Sequence, residues 1–347
     1  MASTRAAIKN QGTHMWSAAN LAELVVWFVW LLHSEFIARF QRRRPVERRV
    51  PAWLGACDDD GRRPAAIVTG AGSGIGRAVA NQLARMGAGA LVIACRTLAE
   101  ARAVTDEIRA AAPEDVVLKP VGVDLRDPAQ IVAMCEDIRV DKSIRVRLVV
   151  HCAGVFCASW RRTEWGEEET AAVNAVAGPR LLRGLGVKGI RFVAVGSFTH
   201  RATSSARIRR WMSAMHTTST KSPLTPAAAY SCSKTAMVAY AWGARRRWGG
   251  EGFTACVADP GLVDTAINRE WPAALRGLYL AVARVTGLLT ASSTGAAAVL
   301  RACFDEEATY VYGARGAHVQ PSDTDAAARE EVFNHLEDLA GPQPPPR

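Results

Sequence analysis

From residue 65 onward, short continuous apolar runs at 65–68, 90–94, 116–123, 147–150, 190–195, 253–258 and 310–312 alternate with stretches of helical period. Runs so short and without polar alternation predict strands buried on both faces. The stretches at 77–86 and 98–111 predict the crossover helices between them, the second stopping at Pro113. Such alternation implies an α/β fold: a doubly wound parallel sheet of Rossmann type, with helices on both faces and ligands beyond the carboxyl ends of the strands.

The chain before residue 65 follows a different pattern. Residues 18–38 form a 21-residue apolar stretch interrupted by Glu23, His33, Ser34 and Glu35, with Trp16, Trp27 and Trp30 available as interfacial anchors. Six arginines against Glu47 follow between Arg39 and Arg49, so a span would leave the arginines and the folded domain on the cytosolic side. The expectation is an N-terminal membrane-anchor helix, with an interfacial helix and an ordinary docking helix as competing readings. The organisation is therefore residues 1–50 as anchor and basic flank, 51–64 as linker, 65–320 as the Rossmann-fold domain, and 321–347 as a C-terminal helix with a disordered tail.

Composition narrows the choice. With 347 residues, 49% hydrophobic and 22% charged, the chain can bury a large core. The net charge of +10 raises nucleic-acid binding, but the basic run beside the apolar segment accounts for it in terms of membrane, and no nucleic-acid partner is expected. Eight cysteines without a Cys-x-x-Cys pair or a close histidine argue against a zinc site or a redox dithiol, so no metal is expected.

The candidate chemistry begins at 69–76, where Thr69, Gly70, Ser73, Gly74, Ile75 and Gly76 follow the first strand and open a helix. Glycines at that turn let a diphosphate approach the backbone, and the free N–H groups of the helix start face the anion. In an NAD-binding unit an acidic residue stands about 20 positions after the last glycine. Here that position is Arg96, whose guanidinium suits a 2′-phosphate, so NADP is expected in preference to NAD. Tyr230 and Lys234 lie four apart on one helix face, where an ammonium beside a phenol, helped by an oxidised nicotinamide, favours phenolate and proton exchange with an alcohol or carbonyl.

These residues resemble the short-chain dehydrogenases/reductases. TGAGSGIG at 69–76, Asp124 after the third strand, Ala153 and Gly154 after the fourth, Asn174, Ser197, Tyr230 with Lys234, and Asp259-Pro260-Gly261 with Val263 and Thr265 occur in that family's order. The stretch around Ser197, the segment 257–265 and the N-terminal apolar run are similar to its membrane-bound retinol dehydrogenase-like branch. The resemblance implies Tyr230 as general acid/base, Lys234 on the nicotinamide ribose, Ser197 on the substrate oxygen and Asn174 holding a water of the proton relay. It also implies Asp124 on the adenine and Pro260, Gly261, Val263 and Thr265 closing over the nicotinamide.

Two departures stand out. His151-Cys152 replace the family's two asparagines, removing amides that tie that loop to neighbouring strands. Gly178-Pro179 fall where a helix interior is expected, predicting that the helix carrying Asn174 ends or bends. Leu275, Leu278, Val282, Val285 and Leu289 form an apolar stripe beyond the closing segment. The reading is a membrane-attached NADP(H) oxidoreductase interconverting a lipophilic alcohol and its aldehyde or ketone, retinoid-, polyprenol- or sterol-like. It would sit at the endoplasmic reticulum or lipid-droplet surface, facing the cytosol. The alternative is an idle, cofactor-binding membrane scaffold or sensor.

Overall fold

The computed structural model describes residues 17–39, 49–215, 223–313 and 325–341. The basic run at 42–48, Trp16 and the tail from 342 lie outside the described residues.

Seven parallel strands form one sheet in the order β3-β2-β1-β4-β5-β6-β7. They are β1 (Arg63–Thr69), β2 (Ala90–Cys95), β3 (Val117–Gly122), β4 (Ile144–His151), β5 (Arg191–Val195), β6 (Thr254–Asp259) and β7 (Tyr310–Tyr312). Each apolar run named from the sequence forms one of them. The order reverses between β1 and β4, which opens a crevice at their carboxyl ends.

Side chains alternate across the sheet. Ala66, Val68, Leu91 and Ile93 face the layer built from α2 (Gly74–Arg85), α3 (Leu98–Arg109) and α9 (Ser292–Phe304). Ala65, Ile67, Val92 and Phe192 face the other layer. That layer contains α4 (Pro128–Val140), α5 (Ala177–Leu185), α6 (Ser205–Ala214), α7 (Pro226–Trp248) and α10 (Ala326–Ala340). Both faces are covered, so the strands need no polar face, which is why their sequence reads as unbroken apolar runs. Within 51–64, a helical turn at Ala52–Gly55 places Leu54 fully in the core, and Asp58 and Asp60 pair with Arg145.

The N-terminal helix α1 (Ala18–Arg39) does not stand apart from this unit. Its buried positions are Asn20, Glu23, Trp27, Leu31 and Ser34, spaced three and four apart along one face. Asn20 Oδ1 accepts the Ala227 N–H (3.1 Å), Glu23 pairs with Arg207 (2.7 Å), and Ser34 Oγ accepts from Arg201 (2.7 Å). Two of the polar residues that interrupt the apolar run, Glu23 and Ser34, therefore belong to its docking face, and Val25, Val26, Val29 and Leu32 point outward. Among the described residues no helix is long and apolar enough to cross a membrane. The helix expected as an anchor is thus docked through Trp27, Leu31 and its polar positions, and keeps a second, outward apolar strip at Val25, Val26, Val29 and Leu32.

A second expectation is corrected on the way to α5. The helix does not end at Gly178-Pro179. It begins at Glu169, widens into a π turn over Ala172–Val176, with the Ala177 N–H reaching Ala172 O, and continues to Leu185. The wide turn falls where the ring of Pro179 would crowd the preceding carbonyls, which lets the helix pass the proline unbroken. Gly178 is tightly packed: a Cβ there would lie 3.0 Å from the Phe192 ring and 3.4 Å from His151, so the neighbours would have to give by a few tenths of an ångström.

Candidate active site

The crevice at the sheet's switch point holds a cavity of about 890 Å³. At one end β1 runs into the glycine-rich turn. Gly70 has φ +66°, and a Cβ there would lie 2.7 Å from Ala153 Cα, so the turn requires glycine. Ser73 caps α2 through its backbone and makes no side-chain capping bond, leaving the first N–H groups of the helix open towards the cavity. The turn is a cradle shaped for a diphosphate, and a dinucleotide fits the residues present.

Of the residues expected from the sequence, Thr69, Gly70, Ser73, Gly74, Ile75, Gly76, Arg96, Asp124, Ala153, Gly154, Ser197, Tyr230, Lys234, Pro260, Gly261, Val263 and Thr265 all line this one cavity. Arg96 stands exposed at the end of β2. Asp124 follows β3, the strand next to β2, its carboxylate held by Arg126 (3.0 and 3.1 Å from Nε) and kept below its ordinary range by that hydrogen bond.

Asn174 is buried behind the lining. Its Oδ1 accepts the Val155 N–H (2.8 Å), and its Nδ2 donates to Val155 O (2.9 Å) and Ser233 Oγ (3.0 Å). A side chain so fully engaged is rigidly placed.

The loop at 151–154 is tied by other means than the expected amides. His151 and Thr69 are register partners at the ends of β4 and β1. Thr69 Oγ1 lies 3.2 Å from His151 Nδ1 and accepts the Ala153 N–H at 3.2 Å. His151 Nε2 lies 3.1 Å from Val173 O. A carbonyl only accepts, so Nε2 carries the proton and Nδ1 accepts from the threonine hydroxyl. Burial holds the imidazole neutral, with its pKa down to about 4.

The reacting end is built on α7. Thr225 caps it and Pro226 starts it, which places Tyr230 and Lys234 one turn apart. Lys234 Nζ donates to Val195 O (2.8 Å) and lies 5.6 Å from the Tyr230 ring centroid. Burial lowers the ammonium pKa to about 8. Burial raises the Tyr230 phenol, opposed by a hydrogen bond with Ser197. Lys234 and an oxidised nicotinamide are the charges that would oppose this desolvation.

Around Tyr230 the structure gathers aromatic rings that motif reasoning passed over. Phe156 stacks on it at 4.9 Å, Trp27 of α1 packs at 5.6 Å from both rings, and Trp271 meets Phe156 edge-on at 5.1 Å. Tyr279, in α8 (Ala273–Val285), follows at 5.1 Å from Trp271. The signal for Trp27 was present as the three-and-four spacing of Asn20, Glu23 and Ser34 around it. Over the mouth, Arg161 pairs with both Glu270 (2.9 Å) and Glu169 (2.9 Å), joining the loop after β4 to the segment after β6.

A phosphate-binding turn at the switch point of a parallel sheet, with a phenol and an ammonium converging beside it, is an arrangement able to hold a nicotinamide dinucleotide beside a proton donor. Known proteins agree. A profile of the short chain dehydrogenases matches residues 64–179. Polyprenol dehydrogenase of Mus musculus is 33% identical over 216 residues, 59% of this chain and 61% of that protein. Retinol dehydrogenase 12 of the same species is 28% identical over 70% of this chain and 75% of that protein. Among solved structures, a Beutenbergia cavernae protein described as an NAD(P)-dependent gluconate 5-dehydrogenase, with bound NADP, is 26% identical. It matches at a TM-score of 0.54 over 76% of this chain and 97% of its own. A short-chain dehydrogenase from Sphingobium yanoikuyae in complex with NADPH shares the fold at a TM-score of 0.53, with 20% identity over 79% of this chain and 94% of its own. Over residues 64–179 the chain is similar to the short-chain dehydrogenases, and its relatives include polyprenol and retinol dehydrogenases, of the first of which it spans about three fifths.

Proposed function

We propose that the protein is a membrane-attached, NADP(H)-dependent oxidoreductase that interconverts a lipophilic alcohol and its aldehyde or ketone. The observation that carries this reading is the aromatic enclosure of Tyr230, an apolar chamber with the Tyr230 and Ser197 hydroxyls at its reacting end. When bound, the nicotinamide supplies or takes up a hydride. Tyr230 gives a proton to the substrate oxygen in reduction and removes it in oxidation, with Ser197 as second hydrogen-bond partner of that oxygen. The upward shift of the phenol favours its acid form, which suits reduction. Arg96 at the end of β2 supports NADP over NAD. The names of the curated relatives, polyprenol and retinol dehydrogenases, support a lipid alcohol as substrate.

Membrane attachment is supported by the outward apolar face of α1, where Val25 is 64% and Val29 59% exposed, and by Leu278, Val282 and Val285 on α8. Arginines flanking α1 suit anionic lipid headgroups. Both helices also contribute to the cavity wall, through Trp27, Tyr279 and Leu280, so a substrate dissolved in lipid has a short path to the chamber.

The test is oxidation of NADPH with retinal, a polyprenal and a sterol ketone, using the full chain and Tyr230→Phe. Turnover of at least one, reduced on the order of 10²-fold or more in the variant, is expected. No turnover by either protein while cofactor still binds would instead favour the scaffold reading.

A further inference from the structure

We propose that Trp27 is a specificity-determining wall of the substrate chamber, which makes the N-terminal helix part of the active site; this rests on the oxidoreductase reading above. The indole is 4% exposed and lines the cavity. Its Nε1–H donates to Ser231 Oγ (2.8 Å), the residue next to Tyr230, and its ring packs 5.6 Å from the phenol and 5.6 Å from Phe156.

The position of the ring is determined by the whole helix. Sliding α1 by a turn would leave the buried Asn20 and Glu23 without the Ala227 N–H and Arg207 that now satisfy them. The polar docking face therefore sets the register, and the register delivers the tryptophan to the phenol. A substrate whose oxygen reaches Tyr230 and Ser197 must lay the carbon chain attached to it along Trp27, Phe156 or Trp271. The indole face rewards an extended apolar chain and contributes nothing to a substrate too short to reach it. The ring's aromatic neighbours are Phe156 and Tyr230 rather than the glycine-rich turn, Arg96 or Asp124, so NADPH affinity serves as the control.

The experiment compares decanal with propanal as substrates of the full-length protein, its Trp27→Ala, Trp27→Phe and Ser231→Ala variants, with NADPH affinity and melting temperature measured on each. Trp27→Ala should raise KM for decanal about tenfold, the factor expected for losing some 50–60 Å² of apolar contact, and leave propanal and NADPH affinity within about twofold. Trp27→Phe and Ser231→Ala should fall between, since one keeps an aromatic face without the hydrogen bond and the other frees the indole to turn. Should Trp27→Ala fail to fold, the graded loss in the two milder variants carries the same comparison. An equal loss on both aldehydes, or none on either, overturns the proposal, because a merely structural residue would not discriminate by chain length. If the unaltered protein reduces no aldehyde, the oxidoreductase reading fails. The wall is then tested by calorimetric binding of decanol and propanol to the NADP-loaded protein, where an unchanged decanol affinity in Trp27→Ala overturns it.

Discussion

Replacing His151 by leucine should cost both stability and rate, for reasons that can be worked from four atoms. The imidazole is buried and joins β1, β4 and the π turn: Thr69 Oγ1 at 3.2 Å on one nitrogen, Val173 O at 3.1 Å on the other. Leucine has similar bulk and no polar atom, so the threonine O–H loses its acceptor, while its oxygen still accepts from the Ala153 N–H, and the valine carbonyl loses the imidazole donor. Each such unmet group costs about 1–3 kcal/mol, and the better burial of leucine returns about 1–2 kcal/mol, for a net loss between about 0 and 5 kcal/mol. The upper part of that range is a sizeable share of the roughly 5–15 kcal/mol that holds a domain together. Urea unfolding should show a lower midpoint at an unchanged slope. Because Val173 precedes Asn174 in the wide turn, the asparagine should also be held less firmly, and a displacement near 1 Å lowers turnover on the order of 10²-fold.

Acid adds an independent signature. The folded-state pKa of His151 is lowered to about 4 from an ordinary 6.5. Between those values the unfolded chain binds a proton that the folded chain refuses, so the contribution is complete above about pH 6.5 and is lost as pH falls towards 4. Its size is on the order of 3 kcal/mol. His200, lowered to about 3, acts in the same direction and is present in both proteins. The parent should therefore lose more stability than His151→Leu over that window, and the difference isolates His151. A variant as stable and as active as the parent, with the same acid slope, would refute the account.

Two further outcomes follow from the cofactor end and the rim. Arg96→Asp should erode or reverse a preference for NADP over NAD in equilibrium binding; equal affinities in the unaltered protein would remove the reason for assigning Arg96 to a 2′-phosphate. Glu270→Gln unclasps Arg161 across the mouth, and because both groups are partly exposed the effect should be modest, a rise of about fivefold or less in the NADPH dissociation rate by stopped flow. No change in that rate would mean the pair bridges the loops without restraining the ligand.

The sheet and the cofactor end of the site were legible in the chain because their signals are local. A strand buried on both faces needs four or five consecutive apolar residues, a diphosphate cradle needs glycines at the turn that follows, and Tyr230 and Lys234 share a face because one helical turn separates them. What the sequence misplaced depends on partners far along the chain. Glu23 and Ser34 of α1 looked like flaws in a membrane span until Arg207 and Arg201 supplied their hydrogen bonds. His151 looked like a lost amide, yet Thr69, 82 positions earlier, and Val173, 22 later, make it the tie. Pro179 looked like a helix end because the π turn that accommodates it is a property of the packed helix rather than of any residue within it. The aromatic chamber gathers Trp27, Phe156, Tyr230 and Trp271 from four separate segments. A buried group's effect is determined by whichever groups replace its lost water, and for these residues only the folded chain determines which groups those are.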